Sequence, residues 1–186
     1  MSSDRDDGEV LAFQRPPIRK SIVVRRGRDA VFAAFVRTID RWWPVRPFSM
    51  GEDRVASVTF ERRRGGRIYE TWHDGTEREW GIVLEWLPPE GFVMTWNASG
   101  TPTEVELRFT AEAMDRTRVD LEHRGWENLS EAQLRADCAL PGGYLGGSFN
   151  RGWDVILGAF LDAAERDPSA QGESASMTAR NEKVTR

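Results

Sequence analysis

From residue 54 to residue 124 the chain reads as a succession of strands, and a single amphipathic helix comes after them. In that helix Phe149, Trp153, Ile156, Leu157, Phe160 and Ala164 fall at helical spacing, one apolar stripe about five turns long. Within the strand region, Val105, Leu107 and Phe109 alternate with Glu104, Glu106, Arg108 and Thr110 over Thr103 to Ala113. Thr117 to Arg124 repeats the pattern, with Val119, Leu121 and His123 against Arg118, Asp120, Glu122 and Arg124. Alternation this clean describes an antiparallel sheet with one wet face. A helix with one apolar stripe must lay it on the dry face. The expected class is therefore α+β, a curved antiparallel sheet gripping a long C-terminal helix, with space for a cavity between the two.

The remaining elements fit around that pair. Ile18 to Val24 reads as a first strand, and Asp29 opens a helix whose apolar face is Val31, Phe32, Phe35 and Val36. A second helical piece, Arg37 to Trp43, stops at Pro44. Further strands are expected at Val55–Arg62, Arg67–His73, Glu77–Leu87 and Phe92–Asn97, with Arg64-Gly65-Gly66 and Asp74-Gly75 as turns. Alternation in the third of these puts Trp80, Ile82, Leu84 and Trp86 on one face. Ser130 with Gln133 forms a capping-box pattern, so a short helix is expected to about Asp137. Pro141-Gly142-Gly143 and Gly146-Gly147 form a hinge before Ser148, the expected N-cap of the closing helix. Residues 1–9 are expected as a flexible tail, 10–166 as the domain, and 167–186 as a disordered polar tail.

Bulk properties narrow the function classes. The net charge is −4, so no global field favours nucleic acid or an anionic membrane. Cys138 stands alone, which leaves no internal disulfide and no thiolate cluster; with only two His at distant positions, no metal site is expected. No apolar run approaches the roughly 18 residues of a membrane span. The start of the chain is acidic and polar, the opposite of a secretory leader, and a cytoplasmic location is expected. The Gly-Gly pairs match no phosphate loop, and no Gly-x-Ser-x-Gly nucleophile elbow occurs.

The candidate site residues are mostly aromatic. Eight Trp is a high count for one small domain, where Leu, Ile and Val would fill a sealed core more economically. Trp72, Trp80, Trp96 and Trp153, with Phe109, are read either as a cavity wall that stacks on flat or lipid-like ligands or as ordinary core. Trp42, Trp43, Phe48 and Met50 make an unusually apolar loop, either a pocket lid or partner-docking edge, or packing over one end of the sheet. His123 shares its face with Val119 and Leu121; it is either a ligand contact or a satisfied core histidine. Glu70 shares a face with Ile68 and Trp72, and a buried carboxylate must pair, protonate or touch water. It either forms an internal salt bridge to an Arg or joins His123 as the polar end of an apolar pocket. Tyr144, Phe149 and Trp153, near the hinged start of the closing helix, are expected to face that pocket, while Ile156, Leu157 and Phe160 seal the core.

Several segments carry a resemblance. They are Arg64-Gly65-Gly66-Arg67-Ile68-Tyr69-Glu70, Asp74-Gly75, Trp80-Gly81-Ile82-Val83, His123-Arg124-Gly125-Trp126, and Gly152-Trp153-Asp154-Val155-Ile156-Leu157-Gly158-Ala159-Phe160. In this order and spacing over residues 18–164 they resemble the START-like helix-grip (SRPBCC) superfamily. The branch is the one similar to the C-terminal domain of the heat-shock-protein-90 ATPase activator. The resemblance implies a helix-grip fold of order β-α-α-β6-α, no cofactor, and a stress-related role. It is compatible with three functions. The leading one is non-catalytic binding of a small hydrophobic or aromatic molecule between sheet and closing helix. The second is a co-chaperone-like role, with a heat-shock chaperone or a second copy of the chain as partner. The eukaryotic activator has an additional N-terminal domain for which this chain has no room, which argues against direct ATPase activation. The third is cyclase- or dehydratase-like chemistry with Glu70 and His123 as acid/base pair.

Overall fold

The computed structural model describes residues 15–97, 100–137 and 147–166. Seven strands form one antiparallel sheet in the order β1-β7-β6-β5-β4-β3-β2, and the chain is α+β. They are β1 (Ile18–Val24), β2 (Val55–Phe60), β3 (Arg67–Trp72), β4 (Glu77–Leu87), β5 (Gly91–Trp96), β6 (Thr103–Ala113) and β7 (Arg116–Arg124). The helices are α1 (Arg28–Arg37), α2 (Ile39–Trp42), α3 (Val45–Phe48), α4 (Glu131–Asp137) and α5 (Ser148–Arg166). Strands β1 and β2 are neighbours in sequence but lie at opposite edges of the sheet, so α1 to α3 must cross from one edge to the other.

The dry face of the sheet and the helices enclose the core. Val105, Leu107 and Phe109 from β6 and Val119, Leu121 and His123 from β7 are all buried, as their alternation requires. On the wet face the intervening charges pair across strands, Arg19 with Glu122 at 2.8 Å and Arg124 with Glu106 at 2.6 Å. From α5, Trp153, Ile156, Leu157, Phe160 and Ala164 are buried, and Phe149 is half-buried. Two contacts fix the helix on the β1 side: Lys20 Nζ meets Asp154 at 2.7 Å, and Arg26 Nη1 donates to the Ala164 carbonyl at 2.9 Å. The capping box before α4 is present. The Ser130 N–H donates to Gln133 Oε1 at 2.9 Å, and the Gln133 N–H donates to Ser130 Oγ at 3.3 Å.

Strand β4 departs from simple alternation. Ile68 pairs with Gly81 but Tyr69 pairs with Glu79, so Trp80 is an extra residue against β3. A second irregularity falls between Val83 and Glu85 on the β5 side. Each extra residue flips the facing of the residues after it. Trp80 and Val83 are therefore buried, whereas Ile82 is exposed, contrary to the face shared by Trp80, Ile82, Leu84 and Trp86 that alternation predicts. Gly81 permits this crossing, since a Cβ there would lie 1.7 Å from the Thr95 carbonyl oxygen. The tails 1–9 and 167–186, Tyr144 and most of the hinge lie outside the described residues.

Candidate functional site

The aromatic residues gather in the seam between the sheet and α5. Trp43 and Trp80 lie 4.5 Å apart by ring centroids, Trp43 and Trp96 6.2 Å, and Trp96 and Trp153 5.3 Å. Together with Ile68, Met94 and other apolar side chains they line a cavity of about 20 Å³. That is room for about one water molecule. The wall carries no charged side chain. The surface it presents is wholly apolar; the indole nitrogens of two lining residues, Trp43 Nε1 and Trp96 Nε1, are shielded from solvent and find no acceptor among the described residues.

Glu70 stands beside this wall, wholly buried. It accepts three N–H donors: Trp72 Nε1 at 2.7 Å, Trp80 Nε1 at 3.0 Å and the Met50 backbone at 3.0 Å. A carboxylate is an acceptor-only group, which suits a ring of donors. The internal Arg ion pair weighed from sequence is not what the fold uses. The guanidinium groups of Arg54 and Arg78 instead lie over the Trp72 ring, 3.8 and 5.0 Å from its centroid. Glu70 thereby tethers the apolar loop through Met50.

His123 has its own closed set of partners. Trp153 Nε1 lies 3.1 Å from Nδ1, and an indole nitrogen only donates, so Nδ1 accepts. Nε2 then carries the proton and meets Thr103 Oγ1 at 2.7 Å, while Thr103 in turn donates to the Trp96 carbonyl at 3.3 Å. The ring packs on Trp126 at 4.2 Å and edge-on to Phe149 at 5.8 Å. Burial pushes the imidazole pKa down to about 3 from its ordinary 6.5, so the ring is neutral at physiological pH. Both nitrogens are committed within the protein, the arrangement of a satisfied core histidine.

The apolar loop packs on the sheet and α5, Trp43 against Trp80 and Trp42 against Phe160. Trp42 and Trp43 are buried, and Trp42 Nε1 donates to the Phe35 carbonyl at 3.0 Å. Phe48 sits on α5 at Gly152, where an added Cβ would lie 3.1 Å from its ring, and Met50 is exposed.

Of the residues singled out from sequence, Trp43, Trp80, Trp96 and Trp153 line the cavity. Trp42, Phe48, Met50, Glu70, Trp72, His123 and Phe149 do not line it. Phe109 packs elsewhere, against Phe32 at 5.2 Å and Phe35 at 5.7 Å. Sequence reasoning missed Met94, because β5 is buried on both faces over Gly91–Met94 and shows no alternation to read. It also missed Thr103, although Thr103 lies on the inward face of Val105 and Leu107 and was findable by the same period. Among the described residues no group of His, Cys, Asp and Glu could hold a metal ion, and no helix is long and apolar enough to cross a membrane.

Known proteins share this geometry at the level of the fold. No curated protein matches the chain. Among solved structures, the self-sacrificing resistance protein CalC from Micromonospora echinospora is 24% identical with a TM-score of 0.58, covering 80% of this chain and 94% of its own. Protein NE0264 from Nitrosomonas europaea is 12% identical with a TM-score of 0.55, over 81% of this chain and 95% of its own. The Aha1 dimer from Colwellia psychrerythraea is 14% identical with a TM-score of 0.52, over 82% of this chain and 98% of its own. At these identities the likeness is one of fold. The family model described as Activator of Hsp90 ATPase homolog 1-like protein matches residues 26–164, from just after β1 to the last turn of α5, and the chain belongs to that family.

Proposed function

We propose that this protein binds a small, mainly apolar molecule in the seam between the sheet and α5, with the cavity walled by Trp43, Trp80, Trp96 and Trp153 as its nucleus. One observation carries the reading: four tryptophans meet around a wholly apolar cavity under α5, and two of them, Trp43 and Trp96, keep buried indole N–H groups that have no acceptor among the described residues. Native interiors rarely leave such groups unpaired, and each costs about 1–3 kcal/mol.

A cavity of about 20 Å³ must widen to accept more than a water. The segment from Trp43 to Met50 is the movable wall. Beyond the buried Trp43 ring, Phe48 rests on Gly152 and the Met50 N–H donates to Glu70. Burying about 300 Å² of apolar ligand surface contributes roughly 7 kcal/mol before ordering and opening costs are subtracted. The test is a thermal-shift screen with fatty acids, flavonoids and polycyclic aromatic compounds, expected to raise the melting temperature for at least one class. Uniformly null shifts, with unchanged tryptophan fluorescence, would sink the reading. We place this activity in the cytoplasm and in a stress-related setting; cell fractionation checks the location.

A second reading, partnership with a heat-shock chaperone, is supported by the family match over residues 26–164. Its test is the ATPase rate of purified heat-shock protein 90 with and without this protein; an unchanged rate and no co-sedimentation would remove it. Acid/base chemistry by Glu70 and His123 has less support, since every nitrogen and oxygen of the two side chains already has a protein partner.

A further inference from the structure

A second concavity lies between α1 and the end of β4, and it shares no lining residue with the seam cavity. It is a groove of about 510 Å³, within the roughly 300–1,000 Å³ of small-molecule sites. Its wall presents apolar and polar surface together. Phe32 of α1, Trp86 of β4 and Pro88, just past β4, supply apolar groups. The Trp86 ring packs on Phe32 at 5.3 Å, Phe60 at 5.7 Å and Phe92 at 6.3 Å, yet the residue is only half-buried. It is an aromatic surface fixed by its neighbours and open on the groove.

The polar part is Arg37, the last residue of α1, Arg62, two residues past β2, and Asp29 in the first turn of α1. Elsewhere on the surface guanidinium groups are neutralised: Arg19 meets Glu122 at 2.8 Å, Arg67 meets Glu77 at 2.9 Å and Arg118 meets Asp120 at 2.9 Å. Arg37 and Arg62 are both exposed, and among the described residues neither meets a carboxylate. Asp29 does not serve them. It stands eight residues before Arg37, about 12 Å along the helix axis, and lies 4.0 Å from Arg28. The groove therefore carries two uncompensated cations beside an aromatic wall.

We infer that this groove is a second binding site, for a small aromatic carboxylate whose ring lies on Trp86 and Pro88 and whose charge is met by Arg37 and Arg62. The site stands or falls independently of the seam. A guanidinium presents a planar fork of N–H donors that matches a carboxylate, and it has no acceptor to offer. A neutral molecule of the same shape leaves both cations as they are, and a cation is repelled by them. A small inorganic anion meets the charges and forgoes the aromatic wall. An aromatic carboxylate uses both halves of the groove at once. Because both arginines are exposed, the electrostatic share of the affinity falls as salt is added.

The experiment compares 2-naphthoate with 2-naphthamide, which has the same rings and no charge. Each is titrated into the full chain at about 50 mM and about 500 mM NaCl. Binding is followed by the indole N–H resonances in a ¹H–¹⁵N correlation spectrum, with Trp43→Phe, Trp86→Phe and Trp96→Phe assigning their signals. At low salt the naphthoate should move the Trp86 signal and bind at least fivefold tighter than the amide. High salt should remove most of that preference, as should Arg37→Gln and Arg62→Gln. Arg62 lies outside helix and strand, so its variant decides the matter even where Arg37→Gln weakens α1. Equal affinities, or a preference that both Gln variants retain, would overturn the inference. Naphthoate that moves the Trp43 and Trp96 signals and leaves Trp86 in place binds in the seam, which overturns the groove assignment and leaves the seam proposal standing. A tetraglutamate peptide that binds where naphthoate does not would give the groove to an acidic protein partner and overturn it as well.

Discussion

Glu70 and His123 are the two buried groups whose chemistry sequence alone left open, and each is resolved by counting partners. Glu70 collects three N–H donors. In Glu70→Gln the new NH₂ would face an indole or amide N–H, donor against donor. We expect a loss of about 2 kcal/mol in urea denaturation, with one of the Trp72 and Trp80 indole signals displaced upfield. His123 makes a different prediction. Its folded pKa lies near 3 against an ordinary 6.5. As pH falls below about 6.5 the unfolded chain takes up a proton that the folded chain refuses, so the histidine's contribution is full above that value and is lost toward pH 3. Between pH 7 and pH 5 the wild type should lose about 2 kcal/mol more than His123→Gln, measured by denaturation at each pH. Equal slopes would mean that the imidazole is not shielded. That Glu70 and His123 face inward was legible from strand alternation. Their partners were not, because alternation reports facing and never which side chain stands opposite.

At the scale of elements, the closing helix and strands β6 and β7 were legible in full, since each obeys one period from end to end. Strand β4 was not. Its facing changes at bulges, and a bulge leaves no mark on the hydrophobic pattern except the residues that tolerate it. Gly81 is such a mark, though in the sequence it stands out only as part of a family segment. Its missing side chain lets the Thr95 carbonyl approach to where a Cβ would stand, and the bulge turns Trp80 toward Glu70 and Trp43. Gly81→Ala should therefore cost several kcal/mol, well beyond a typical strand substitution, and should lower expression of folded protein. Gly152 sets up a milder conflict. An alanine there gains about 1 kcal/mol of helix propensity but presses a Cβ to within 3.1 Å of the Phe48 ring. Gly152→Ala should change overall stability little while amide hydrogen exchange across residues 45–50 accelerates. Unchanged exchange would show that Phe48 is no latch.

For the molecule as a whole, the seam between sheet and α5 is where stability and the proposed function meet. Trp153 is buried in that seam and also supplies the donor to His123 Nδ1. Trp153→Ala should cost about 3–5 kcal/mol by opening a void and orphaning that nitrogen. Added indole, which restores both the ring and its N–H, should raise the melting temperature of the variant more than that of the wild type. Equal shifts would place the added indole somewhere other than the seam. The same seam explains why the function was harder to read than the fold. Sheet, helix and order emerge from periodicity, whereas a cavity depends on how far large rings fall short of filling the space, and a sequence does not record distances between rings.

Those distances have an optical consequence. Trp42, Trp43, Trp80, Trp96 and Trp153 form an unbroken series, with successive ring centroids 5.8, 4.5, 6.2 and 5.3 Å apart. Transition dipoles at such separations couple, so light absorbed by one indole is shared among its neighbours before emission. The near-ultraviolet circular dichroism should carry a split exciton band, and the five rings should behave as one chromophore whose emission responds as a unit. A molecule that touches Trp43 alone would then dim or shift the light of the whole series, which makes the unlabelled protein its own sensor of what enters the seam.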